Sequence, residues 1–120
     1  MLYSIDDIEQ SDIPQRRRAD FALWRGKLSD EEYNRAIQGI RLRCNGKEFV
    51  VSSFLPGSDW TNNEFHPLYI ACGKNAQHAG WFFGLIVWQA MINDKDHKWR
   101  FLPTDKDDTN VLGMRYFLAK

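Results

Sequence analysis

Cys72 and His78 stand six residues apart across a Gly73-Lys74-Asn75 break, a spacing that could bring a thiol to an imidazole. A Cys–His nucleophile also needs a group that orients the imidazole and N–H donors for an oxyanion. No segment of the chain supplies either in recognisable form, and a cysteine behaving as a small apolar residue is the commoner case. His66, before Pro67, and His97, in a charged turn, are expected as surface or capping residues. Cys44, the second cysteine, belongs to no CxxC pair, and no His–Cys cluster has a zinc-site spacing. Asp105, Asp107, Asp108 and Asn110 crowd into one loop, but the glycine and terminal glutamate of an EF-hand loop are missing, so they read as a solvated hairpin tip. Gly80 and Gly84 form a GxxxG inside an apolar run, which favours close helix packing over phosphate binding. The expectation is a protein that is not an enzyme, with no cofactor and no metal.

Cations could instead do binding work. Arg16, Arg17 and Arg18 form the one arginine run, in an N-terminal third that also carries Arg25, Lys27, Arg35, Arg41 and Arg43. They are the candidate nucleic-acid residues. The chain as a whole has no basic surplus: 16 Lys and Arg balance 16 Asp and Glu. Any phosphate binding would have to come from local asymmetry.

These residues must be positioned by a single domain's worth of chain, 120 residues that are 43% hydrophobic and 27% charged. Five tryptophans are a high count for that length, and tryptophan favours cores and interfaces alike. The N-terminal stretch MLYSIDDIEQSDIPQRRR is acidic, then basic, with no apolar run, so no signal peptide is expected. The longest apolar stretch, Ala79 to Ile92, is 14 residues and contains Gln89, short of the roughly 20 needed for a membrane span. Two isolated thiols read as reduced, which gives a cytoplasmic expectation with no membrane partner.

Ser29 with Glu32 three residues on forms a capping box, and Tyr33, Ala36, Ile37, Ile40 and Cys44 follow at helical spacing, so a helix is expected over 29–44. Lys47–Leu55 reads as a strand. Asn62 or Asn63 should cap a helix running to Cys72, with Pro67 in its first turn. A third helix is expected from about Ala76 to Asn93, then strands over Lys98–Leu102 and Val111–Leu118 around a polar loop, 103–110. The expected class is α+β, a domain over 29–120 preceded by a helical extension over 1–28.

The order helix, strand, helix, helix, strand, strand resembles that of a winged helix-turn-helix domain. That resemblance implies a third helix in the DNA major groove and a wing against the backbone. The residues oppose both roles. No Lys or Arg falls in 76–94, and the wing candidate, 103–110, has three acids and one base. A third helix apolar around most of its circumference calls for cover, from its own chain or from another. The leading expectation is therefore a small interaction or regulatory protein that binds another protein, or itself, through aromatic surface. Trp24, Trp60, Trp81, Phe82 and Trp88 are the candidate anchors. The alternative is a nucleic-acid-binding regulator using Arg16, Arg17 and Arg18.

Overall fold

The computed structural model describes residues 1–4, 6–47, 49–51, 64–102 and 115–118. In chain order it contains β1 (Leu2–Tyr3), β2 (Glu9–Gln10), a 3-10 turn at Gln15–Arg17, α1 (Arg18–Arg25), α2 (Asp30–Cys44), β3 (Phe49–Val51), α3 (His66–Ala71), α4 (Ala76–Asn93), β4 (Trp99–Leu102) and β5 (Arg115–Leu118). The class is α+β.

Local chemistry sets the helix ends. Ser29 Oγ accepts from the Glu32 N–H at 3.1 Å, and Glu32 Oε1 accepts from the Ser29 N–H at 2.9 Å, so the capping box forms and α2 starts there. Its far end runs into Gly46, whose φ of +76° an L side chain rarely adopts. Asn75 caps α4 by accepting from the His78 N–H at 3.1 Å. The helix expected from Asn62 begins instead at His66. Pro67 lacks the N–H that would tie it to an earlier turn, so the helix cannot extend far upstream of it. Asn62 and Asn63 lie outside the described residues, as do 48 and 52–55 of the strand expected over Lys47–Leu55, the 103–110 loop, and 111–114 of the strand expected over Val111–Leu118.

The sheet has the order β2-β1-β4-β5-β3. β4 and β5 are antiparallel, with Trp99 opposite Leu118 and Leu102 opposite Arg115. β3 lies antiparallel on the other side of β5. The first 28 residues, expected as a helical extension, contribute α1 but also two strands: β1 runs parallel to β4, with Leu2 beside Trp99, and β2 pairs with β1. Strands two residues long have no alternation to read, and partners supply what the local sequence does not. The hairpin between them turns through Asp7 at φ 67°, whose carboxylate reaches Arg100 at 2.9 Å and Lys98 at 3.3 Å.

α4 is the centre of the core. It packs against α1, α2, α3 and β1, and Phe82, Phe83, Leu85, Ile86 and Val87 are fully buried. Leu2, Ile13, Trp24 and Leu28 from the N-terminal segment join that same core. The segment is thus integral cover for α4, and Phe82, which on sequence falls among the polar arc of the helix, is enclosed by Phe21 and Trp24 of α1, at ring centroid distances of 5.8 and 5.6 Å.

Candidate functional site

The expected aromatic anchors separate into three groups. Trp24, Phe82 and Trp88 are core, at 6%, 0% and 3% exposure, and offer no surface to a partner. Trp88 lies 4.5 Å, centroid to centroid, from Phe101, and its indole N–H donates to the Asp12 carbonyl at 3.0 Å. Trp81 is half-buried, and its indole is engaged by its own chain: the Arg17 guanidinium sits 4.5 Å over one ring, and His78 stacks at 5.3 Å with the planes 26° apart. His78 in turn lies 5.6 Å from Trp24. Trp60 lies outside the described residues.

The arginine run is divided in the same way. Arg17 covers Trp81 and pairs with Asp20 at 3.5 Å. Arg18 pairs with Asp12 at 3.5 Å and donates from Nε to the Ile13 carbonyl at 3.2 Å. Arg16 is exposed. Two of the three cations therefore fasten α1 to its own chain.

Sequence reasoning missed a cleft of about 920 Å³ where the C-terminal ends of α2 and α4 meet the sheet. Ile40 and Cys44 of α2, Ala90 and Met91 of α4 and Trp99 of β4 border it from the buried core, and the half-buried Leu118 of β5 lines it with them. Arg41, Lys47, Lys95 and His97 stand on its rim with Asp94 and Asp96. Leu42, at its mouth, is 76% exposed. One signal of it is present in the sequence. Leu42 falls off the apolar stripe of α2 and between two arginines, where a helix paired only with its own core would carry a polar residue.

Asp94 organises one wall. The Trp99 indole N–H donates to its Oδ2 at 2.9 Å, the Asp96 N–H donates to Oδ1 at 3.1 Å, and His97 Nδ1 lies 3.0 Å from Oδ2. Burial pushes this carboxyl up, but the hydrogen bonds from Trp99, Asp96 and His97 outweigh it and hold Asp94 below the usual carboxylate range. Burial pushes the Cys44 thiol up to about 11, against the opposing pull of Lys47. Burial likewise pushes Cys72 up to about 11. Both thiols therefore stay protonated at neutral pH. Cys72 is buried and His78 stacks between Trp24 and Trp81; no hydrogen bond joins them among the described residues. Among those residues no group of three or more His, Cys, Asp or Glu side chains could hold a metal ion. None of their helices is long and apolar enough to cross a membrane.

No family model matches the chain, and neither a curated protein nor a solved structure is significantly similar to it. The cleft's own chemistry is an exposed leucine, a lining of mostly buried apolar residues and a charged rim.

Proposed function

We propose that this chain is a small, non-catalytic interaction protein that engages another protein through the cleft between the ends of α2 and α4. The observation that carries this reading is Leu42, a large apolar side chain 76% exposed among the residues that line the cleft. A large apolar side chain left in water beside a concave surface is what a partner's side chain would cover. The elevated Cys44 and Cys72 thiols support a binding role over a catalytic one. A cytoplasmic setting, with both thiols reduced, is part of the same reading.

The element order α2-β3-α3-α4-β4-β5, with β5 between β3 and β4, supports a winged-helix-like arrangement for residues 29–118. In such a domain α4 would be the groove-reading helix. Here α1 and α2 cover it, so the arrangement favours a protein partner over DNA. The internal engagement of Arg17 and Arg18 favours the same choice.

Affinity capture from the native cell, with mass spectrometry, tests the reading when run on three proteins: the unaltered chain, Leu42→Asp, and a triple Arg16→Ala, Arg17→Ala, Arg18→Ala variant. The reading expects a partner that Leu42→Asp loses and the arginine variant keeps. The reverse pattern, with salt-sensitive retention on heparin, would transfer the function to a nucleic-acid surface on α1.

A further inference from the structure

Asn45 and Gly46 form the one Asn-Gly pair in the chain. They sit in the turn that carries α2 into β3. Asn45 has φ −62° and ψ 127°, Gly46 has φ +76°, and the Lys47 N–H donates to the Cys44 carbonyl at 3.1 Å. Those dihedrals and that hydrogen bond belong to a type II turn, which favours glycine at its third position. Both residues are exposed. Neither the Asn45 carboxamide nor the Gly46 N–H has a hydrogen-bond partner among the described residues. A Cβ added to Gly46 would meet nothing within 4 Å, so that side of the peptide is open to solvent. The other described asparagines differ on one count or another. Asn34 lies inside α2 with Arg35 after it. Asn75 has its side-chain oxygen bonded to the His78 N–H, and Asn93 is followed by Asp94, whose N–H donates to the Met91 carbonyl.

We propose that Asn45 is a site of spontaneous deamidation in the folded protein, with water as the reagent and opening of this turn as the pacing step. The Gly46 amide loses its proton to hydroxide, and its nitrogen forms a bond to Asn45 Cγ. The Cγ–Nδ2 bond breaks, and the side-chain nitrogen leaves as ammonia, taking a proton from water. Water then opens the succinimide at one of its two carbonyl–nitrogen bonds. Cleavage at Cγ leaves aspartate. Cleavage at the Asn45 backbone carbonyl leaves isoaspartate, with the chain running through the side chain. Nothing is oxidised or reduced. Glycine allows the attack because no Cβ crowds its nitrogen. The turn opposes it: at ψ 127° the Gly46 nitrogen points away from the Asn45 side chain, and the rotation that brings them together breaks the Lys47 hydrogen bond. One exposed backbone hydrogen bond biases such an opening by roughly two- to tenfold, so the turn slows the reaction without stopping it. Both products put a carboxylate at the C-terminal end of α2, where the helix dipole disfavours it. Asn45 and Gly46 line the cleft, so the change falls on its rim whatever the cleft binds.

The full chain is incubated at neutral and at mildly alkaline pH, folded and in urea, then digested for peptide mass mapping. An isoaspartyl methyltransferase with labelled methyl donor marks the isoaspartate. Folded protein should show the amide-to-acid mass gain and the label at Asn45, faster at the higher pH. The same site should react roughly two to ten times faster in urea. Asn45→Gln should remove the label, since its longer side chain closes the ring poorly, and leave the rest of the map unchanged. Asn34, Asn75 and Asn93 should stay intact in the folded protein over the same period. An unmodified Asn45 in folded protein, long after the urea sample is fully converted, would overturn the proposal. Equal rates folded and in urea would remove the turn as the pacing step. Conversion of Asn34 or Asn75 before Asn45 would show that the exposed turn and its free N–H do not select the site.

Discussion

The Trp24 ring of α1 lies 5.6 Å, centroid to centroid, from the Phe82 ring of α4, and this contact covers the Phe82 side of that helix. Trp24→Ala should therefore do more than loosen α1. It removes a 6% exposed indole from between His78 and Phe82 and should cost about 3–5 kcal/mol. Hydrogen exchange should rise in α4 as well as in α1. Fast exchange confined to 18–25 would mean that the two helices are not one cooperative unit.

Gly39 lies where α2 faces Glu64. A Cβ added there would fall 2.9 Å from Glu64 Cγ and 3.0 Å from Cδ, and would contact Oε1 more closely still. Glu64 is held by Arg43, whose Nη1 also donates to the Gly39 carbonyl at 3.0 Å and whose guanidinium covers Phe65 at 4.8 Å. Gly39→Ala should destabilise by about 1–3 kcal/mol. In a Glu64→Ala background the same change should be neutral or stabilising by up to about 1 kcal/mol, since alanine is the better helix former. Additive costs in the urea-melt cycle would show that the glutamate is not what requires the glycine.

These two contacts mark what the sequence makes legible. The helices 29–44 and 76–93 are readable because caps and stripes are local: Ser29 with Glu32, and an apolar run ended at Asn93. The strands at Lys98–Leu102 and at the end of Val111–Leu118 follow from their aromatic content, and 99–102 and 115–118 are strand. β1 and β2 are not readable, because two-residue strands are made by their neighbours. The aromatic residues could be ranked by type but not by exposure, since Trp24 and Phe82 bury each other across 58 positions of sequence. The cleft depends on three separate segments meeting, and only Leu42 announced it in advance.

Tyr116, opposite Val50 and Phe101 in the sheet, is fully buried, and its hydroxyl has no hydrogen-bond partner among the described residues. Burial pushes that phenol well above its ordinary pKa. An unpaired buried hydroxyl carries a desolvation cost without a compensating bond. Tyr116→Phe should raise the melting temperature, with a gain of about 1 kcal/mol. A loss of stability would mean that the hydroxyl has a partner in solution.

Asp94 gives the pH dependence a direction. Its carboxyl is held below the ordinary range when folded, so its stabilisation is complete above the unfolded value near about 4 and is lost as pH falls through the folded value. Glu64, where burial opposes but its own backbone N–H and Arg43 prevail, and Asp7, held down by Lys98 and then Arg100, act in the same sense. Asp94→Asn should cost about 1 kcal/mol at neutral pH and converge on the unaltered protein as both are acidified below about pH 4. Parallel stability curves across that range would remove Asp94 from the account.

Cys44 and Cys72 decide whether the chain holds a working nucleophile. A nucleophilic Cys–His pair needs a thiolate at neutral pH, and such a thiol reacts with a disulfide reagent in a fast initial phase. Burial instead puts both thiols up to about 11. At pH 8 that leaves roughly a hundredfold less thiolate than an ordinary exposed cysteine. Native protein should therefore react slowly with Ellman's reagent at both positions, and both should react at once in urea. Cys44→Ser should leave Cys72 equally slow, which assigns the protection to each site separately. A burst of one thiol in the native protein, abolished by His78→Ala, would reverse the non-catalytic reading. It would place a working nucleophile where the structure puts an indole-stacked imidazole and a buried thiol.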